Sequence, residues 1–93
     1  MKLKDLRVNQ YVPYYLMMAY GYYELDAPIG SDAAFDKLAK LVKEHYDEID
    51  HPHKSLITID MLDAGTYIGK YPEMVKGGFH SLQKELGRKK ITA

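Results

Sequence analysis

The sequence predicts a single small domain that is mainly α-helical. It has 93 residues, of which 46% are hydrophobic and 28% charged, and a chain this short seldom buries two separate cores. Its apolar residues recur at helical spacing between clusters of turn-forming residues. We therefore expect a helical hairpin at about residues 12–25 and 31–49, followed by a short helix at about 58–64 and a longer one at about 72–86.

The first helix is predicted from its apolar run and from proline near its start. Pro13 suits the first helical position, where its missing N–H group has no partner to lose, and the helix should continue to about Leu25. The stretch Asp26–Ser31 then collects turn formers, and neither Pro28 nor Gly30 continues a helix well. The chain should turn here.

The second helix is predicted from a cap and an amphipathic pattern. Ser31 is a favourable N-cap, and Asp32 favours the first helical turn electrostatically. The helix should end before Pro52, because the residue that precedes a proline is pushed out of helical geometry. The apolar positions that recur at helical spacing are Phe35, Leu38, Leu41, Val42 and Tyr46.

Two further helices are predicted in the second half of the chain. Thr58 can cap a short helix that Gly65 ends in a left-handed conformation. A longer helix should begin at Pro72 and end at Gly87. Gly77–Gly78 weakens this helix by roughly 1 kcal/mol per glycine, and these glycines would allow a second helix to approach closely.

The two ends of the chain are less clearly defined. Met1–Arg7 alternates apolar and charged residues, which suits either a short edge strand or a flexible arm, and both alternatives stay open. Arg88–Lys90 is basic, and we interpret it as cations at a helix C-terminus and a solvated end rather than as a nucleic-acid contact.

Charge and composition argue against several classes of function. Thirteen Lys and Arg residues balance thirteen Asp and Glu residues, so no net field attracts nucleic acid or acidic membranes. The apolar run Tyr11–Tyr23 is shorter than the about 20 residues that a membrane helix needs. Without cysteine there is no disulfide, thiolate nucleophile or cysteine zinc site. We expect a cytoplasmic protein with no membrane association.

The common catalytic and metal motifs do not occur in the sequence. It contains no P-loop, Gly-x-Gly-x-x-Gly, Gly-x-Ser-x-Gly or His-Glu-x-x-His motif. His51 and His53, with Asp50 beside them, could supply metal ligands, but a polar turn after a helix explains them as well and no fourth ligand is placed by spacing. We predict no metal site.

Tyrosine is the most unusual feature of the composition. There are nine tyrosines, and six lie between Tyr11 and Tyr23. One helical face cannot hold them all, so some must lie at the edge of the core, where the ring can cover a partner. A protein partner or a symmetric homodimer could bury such rings.

One segment carries a family resemblance. Residues 22–38, with the sequence YYELDAPIGSDAAFDKL, are followed by the motif Glu48-x-x-His51-Pro52. Together they resemble the N-terminal helical subdomain Ia of NAD-dependent bacterial DNA ligases. The resemblance covers about residues 12–52, while residues 53–93 form a helical extension with no counterpart that we can place.

The resemblance implies a nucleotide site. In that family the subdomain closes over the adenylation domain and binds the nicotinamide mononucleotide (NMN) half of NAD. The residues that correspond to such a site are Tyr22, Tyr23, Asp32, Phe35 and Asp36. Phe35 stands where the family usually has tyrosine, so one hydroxyl group is missing.

The chemistry of these residue types is compatible with the implied ligand. Oxidised nicotinamide is a flat cationic ring that suits stacking on an aromatic face beside carboxylates. Asp32 and Asp36 are one helical turn apart, so both could point into one cleft. Each also has a structural explanation, because Asp32 complements a helix N-terminus and Asp36 falls on the solvent side of an amphipathic helix.

Three hypotheses of function follow. The ligase nucleophile motif Lys-x-Asp-Gly is absent, so we expect a non-catalytic module rather than an enzyme. It would bind NMN or NAD, alone or as a part that completes an enzyme in trans. The alternative is a phage-type protein-interaction or regulatory module that uses its tyrosines without binding a nucleotide. Nucleic-acid binding is the least supported, because the net charge is zero.

Overall fold

The predicted mainly helical fold is confirmed. The computed structural model describes residues 1–93 and contains four α-helices without any named strand. None of the helices combines the length and the apolar character needed to cross a membrane. The elements are α1 (Tyr11–Ala19, continued by a π-helical turn over Tyr20–Glu24), α2 (Asp32–Glu44), α3 (Ile59–Ala64) and α4 (Glu73–Leu86), with short 3₁₀ turns at Leu3–Asp5, Val8–Gln10 and Pro52–Leu56.

The first helix begins slightly earlier than predicted. It starts at Tyr11, so Pro13 is its third residue and not its first. The proline is tolerated because the first N–H groups of a helix have no partner within the helix. The helical stretch ends at Glu24, close to the predicted end, but its last part is a π-helical turn.

Gly21 lies inside the π-helical turn and is buried. A Cβ atom at this position would lie 2.5 Å from Cε2 of Phe79 and 2.8 Å from the carbonyl oxygen of Ala27. The N–H group of Ala27 donates to the carbonyl oxygen of Gly21 at 2.8 Å, which closes the turn. Only a residue without a side chain lets the chain pass so close to α4.

The second helix is shorter than predicted. Ser31 caps it as expected, since its Oγ accepts a hydrogen bond from the N–H group of Ala34 at 3.1 Å. The predicted end near residue 49 is wrong, because the helix ends at Glu44 and turns follow. The hydroxyl of Tyr46 donates to the carbonyl oxygen of Ile57 at 2.6 Å, a contact that fixes the chain where it leaves the helix.

The helices of the second half have the predicted ends. Oγ1 of Thr58 accepts from the N–H group of Met61 at 3.2 Å, and Gly65 has a left-handed φ of 65° at the end of α3. Pro72 immediately precedes α4, and Gly87, with a φ of 63°, follows it. Local sequence therefore determines both boundaries of each helix.

Neither alternative for the N-terminus describes the structure. Met1–Arg7 contains a short 3₁₀ turn at Leu3–Asp5 and is hydrogen-bonded to the other end of the chain. The N–H group of Leu3 donates to the carbonyl oxygen of Thr92 at 3.1 Å. Ile91 is fully buried, and its carbonyl oxygen accepts from the N–H group of Ser31 at 2.9 Å. The C-terminal segment thus joins the N-terminus to the loop before α2.

Helix α1 lies at the centre of one core, packed against α2 and α4, while α3 packs against α2. Gly78 allows α4 to approach, because a Cβ there would lie 3.1 Å from Sδ of Met17, whereas Gly77 has nothing within 4 Å. The fully buried large side chains are Leu3, Val12, Tyr15, Leu16, Leu38, Val42, Ile57, Phe79 and Ile91.

Candidate functional site

Three aromatic side chains form a surface cluster where α1 meets α2. We call Tyr22, Tyr23 and Phe35 the aromatic cluster. The rings of Tyr22 and Phe35 are nearly parallel, with 6.4 Å between centroids and 6° between planes. Tyr23 meets both edge-on, at 5.0 Å from Tyr22 and 6.4 Å from Phe35. The structure therefore brings together the three aromatic residues that the sequence singled out.

The two tyrosines of the cluster are open to solvent. Tyr22 is 48% exposed and Tyr23 is 45% exposed, whereas Phe35 is only partly exposed. Phe35 packs against the buried Tyr15, and the two rings stack with 4.9 Å between centroids and 15° between planes. Exposed aromatic rings that a buried ring holds in position are suited to stacking against a flat ligand or a partner side chain.

Asp32 lies beside this cluster in a narrow crevice. The crevice is also lined by Tyr22, Pro28, Ser31 and Phe35, and its volume is about 10 Å³. That volume corresponds to about one water molecule. In this conformation the crevice is therefore too small to enclose an aromatic ring, and a flat ligand would have only the outer aromatic faces to contact.

Asp36 lies in a different place. It lines an open groove of about 410 Å³ between α2 and α3, together with Lys40, Lys43 and Asp63. The expectation that Asp32 and Asp36 share one cleft is therefore not met. One helical turn between them is enough for Asp32 to line the crevice and for Asp36 to line the groove.

The aromatic cluster and the α2–α3 groove meet at Gly65. The hydroxyl of Tyr23 donates a long hydrogen bond of 3.5 Å to the carbonyl oxygen of Gly65. Oδ1 of Asp36 would lie 3.8 Å from a Cβ atom at Gly65. The sequence predicted Gly65 only as the end of a helix, since nothing in the local pattern shows which residues of α2 it will meet.

The charges of the groove are partly paired. Lys43 forms an ion pair with Asp63, whereas Lys40 takes part in none of the ion pairs of the structure. Neither lysine stands out in the amino-acid sequence as a site residue. The spacing of four between Asp36 and Lys40 places them on one helix face, but the opposite wall comes from α3, more than twenty residues later.

The buried Tyr15 supports the site from inside. The hydroxyl of Tyr15 donates to the carbonyl oxygen of Thr66 at 2.6 Å. Burial, and then the neighbouring Tyr23, Tyr71 and Asp36, raise the pKa of Tyr15 well above its usual range. Burial also raises the pKa of Tyr71 to about 12, with a smaller effect from the charge of Glu24. Both phenols are therefore neutral at physiological pH, and the hydroxyl of Tyr15 acts as a hydrogen-bond donor.

His51 and His53 line neither the crevice nor the groove. The rings of His51 and His53 are 5.2 Å apart, and Nδ1 of His51 accepts from the backbone N–H group of His53 at 3.1 Å. Burial, and then His53, lower the pKa of His51, while Asp50 opposes this shift. No three His, Asp or Glu side chains are grouped so that they could hold a metal ion.

Comparisons with known protein families, with curated proteins and with solved structures find no match to this chain. The resemblance to the ligase subdomain therefore stays a prediction from the sequence.

Proposed function

We propose that this chain is a non-catalytic binding module for the NMN half of NAD, acting alone or completing an enzyme in trans. The observation that carries the proposal is the aromatic cluster, in which Tyr22 and Tyr23 are each about half exposed beside the carboxylate of Asp32. A flat cationic ring gains cation–π energy over such faces, about 0.5–1 kcal/mol at exposed sites.

The carboxylates of Asp32 and Asp36 supply the polar contacts of the proposed nucleotide site. Asp32 lies at the crevice beside Tyr22, and Asp36 lies where the groove meets Tyr23 at Gly65. Each can accept hydrogen bonds from amide or ribose hydroxyl groups, and each favours a positive charge on the ligand.

The absence of a Lys-x-Asp-Gly motif supports a non-catalytic role. Adenylation requires a nucleophile activated by its surroundings, and no lysine of the chain is followed by that motif. A module of this kind would capture the nucleotide and leave the chemistry to another chain.

The test is isothermal titration of the purified chain with NMN and with NAD. We expect both to bind, and we expect Asp36→Asn to weaken binding by about tenfold or more, because a charge-assisted hydrogen bond contributes about 1.5–3 kcal/mol. The amide has the same shape as the carboxylate, so circular dichroism should show an unchanged fold.

Asp47→Asn is the matched control for this experiment. Asp47 is exposed in the turn after α2 and lines neither the crevice nor the groove, so its variant should bind like the wild type. If neither ligand binds the wild-type chain at millimolar concentration, the nucleotide proposal is rejected.

The second candidate is a phage-type protein-interaction or regulatory module. It is favoured by the small volume of the crevice and by apolar exposure at the same end of the molecule, where Tyr22, Tyr23 and Leu25 are 48%, 45% and 39% exposed. This candidate predicts self-association in sedimentation analysis, or a protein partner, that Tyr22→Ala weakens while nucleotides have no effect.

A further inference from the structure

The groove between α2 and α3 differs from the crevice in size. Its volume of about 410 Å³ falls within the range of about 300–1,000 Å³ that is typical of small-molecule sites. Its floor is apolar, formed by the buried side chains of Ala39 and Leu62, and its charged residues are exposed along the rim. It is therefore wide enough for the part of a nucleotide that the crevice cannot hold.

The rim of the groove has charge of both signs. Lys43 and Asp63 neutralise each other in an ion pair. This pair leaves Asp36 and Lys40 as the two charges of the rim without an ion-pair partner. They are four residues apart on α2, so a negative group and a positive group lie side by side on one wall. A ligand that carries one positive and one negative charge matches this arrangement.

The order of these charges follows from the position of Gly65. Gly65 contacts the hydroxyl of Tyr23 on one side and faces Asp36 on the other, so Asp36 is at the end of the groove nearest the aromatic cluster. Lys40 is one helical turn further along α2. A cationic ring on the cluster would thus lie near Asp36, and an anionic group of the same molecule would lie near Lys40.

We propose that the α2–α3 groove is a phosphate subsite, in which Lys40 binds the phosphate group of a mononucleotide whose cationic ring stacks on the aromatic cluster. This inference rests on the proposed function and adds to it a residue outside the ligand set implied by the ligase resemblance. It also gives a role to residues 53–93, since α3 supplies one wall of the groove.

The experiment compares NMN with nicotinamide riboside, which has the same ring and sugar but no phosphate. Both ligands are titrated into the wild-type chain, into Lys40→Gln and into the control Lys37→Gln. Lys37 is exposed on α2 and does not line the groove. We expect Lys40→Gln to weaken NMN binding by about tenfold and to leave riboside binding unchanged, because only NMN carries the group that the lysine would bind.

The outcomes separate this inference from the proposed function. If both ligands bind but Lys40→Gln weakens NMN no more than Lys37→Gln does, the phosphate subsite is rejected and the nucleotide module stands. The same conclusion follows if the wild-type chain binds the two ligands equally well. If the wild-type chain binds neither ligand, the proposed function fails, and the subsite fails with it.

Discussion

Tyr15 and Tyr22 lie on the same helical stretch and against the same aromatic ring, yet their surroundings are opposite. Tyr15 is fully buried, stacks on Phe35 at 4.9 Å, and its hydroxyl donates a hydrogen bond to the carbonyl oxygen of Thr66. Tyr22 lies parallel to Phe35 at 6.4 Å, but 48% of it is exposed. The two residues are of the same type, but the fold buries Tyr15 in the core and leaves Tyr22 exposed and available for binding.

The difference arises from residues outside the hairpin. Tyr15 can be buried because Thr66 supplies a carbonyl oxygen for its hydroxyl. Tyr46 at the other end of the hairpin likewise donates to Ile57 at 2.6 Å. A buried hydroxyl without an acceptor costs about 1–3 kcal/mol. Residues 53–93 thus stabilise the hairpin, because their carbonyl oxygens accept hydrogen bonds from its tyrosines.

The largest expected effect is on stability, from Tyr15→Ala. Removal of a fully buried aromatic side chain leaves a cavity and should lower the free energy of unfolding by about 3–5 kcal/mol. Tyr22→Ala is the matched control, and it should cost at most about 1 kcal/mol, because about half of that side chain is already in water. Urea denaturation followed by circular dichroism measures both.

NMN binding, in contrast to stability, should depend on the exposed Tyr22. Tyr22→Ala is expected to weaken NMN binding by about two- to fivefold at almost unchanged stability, as isothermal titration would measure. If the two variants lose the same stability, the contrast between a core tyrosine and a surface tyrosine is wrong, and Tyr22 belongs to the core.

An intermediate effect is expected from Gly21→Ala, a change in the π-helical turn between Tyr15 and Tyr22. The new methyl group would meet the ring of Phe79 and the backbone of Ala27, so overpacking should cost about 1–3 kcal/mol. Gly77→Ala is the control, since nothing lies within 4 Å of that position and the change should stabilise α4 by about 0.5–1 kcal/mol. A lower melting temperature for Gly21→Ala together with a higher one for Gly77→Ala would support the close packing of the π-helical turn on α4. A Gly21→Ala variant as stable as the wild type would contradict it.

Local chemistry explains how much of the fold could be predicted. Ser31, Thr58 and Gly65 determine helix ends through hydrogen bonds and φ angles within a few residues, and all three were identified from sequence. The end of α2 was not, because it depends on contacts such as that of Tyr46 with Ile57, eleven residues away. Short-range patterns cannot contain such information.

The same limit applies to the candidate site. The residues of the aromatic cluster could be named from the sequence because they belong to the contiguous segment 22–38 that carries the resemblance. The separation of Asp32 from Asp36 could not, because it depends on where α3 packs against α2. Lys40 was missed for the same reason, since its neighbours Asp63 and Gly65 in the groove come from a helix end distant in sequence.

The smallest expected effect is on the pH dependence of stability. The pKa of Tyr15 in the folded chain is raised by burial, whereas a tyrosine in the unfolded chain has a pKa of about 10. As the pH rises, the phenol therefore loses its proton in the unfolded chain before it does so in the folded chain. The contribution of this phenol to the free energy of unfolding is fully present below about pH 10 and is lost as the pH rises further. For one tyrosine this loss is about 1 kcal/mol or less at pH 10.5.

Tyr15→Phe isolates this contribution. The variant should be less stable than the wild type at pH 8, because the carbonyl oxygen of Thr66 loses its donor, but its stability should fall less steeply between pH 9 and pH 10.5. Tyr22→Phe, which changes an exposed phenol, should keep the wild-type slope. Urea midpoints at several pH values provide the comparison. Equal slopes for wild type and Tyr15→Phe would show that the phenol of Tyr15 ionises as easily in the folded chain as in water, which its burial and its bond to Thr66 both oppose.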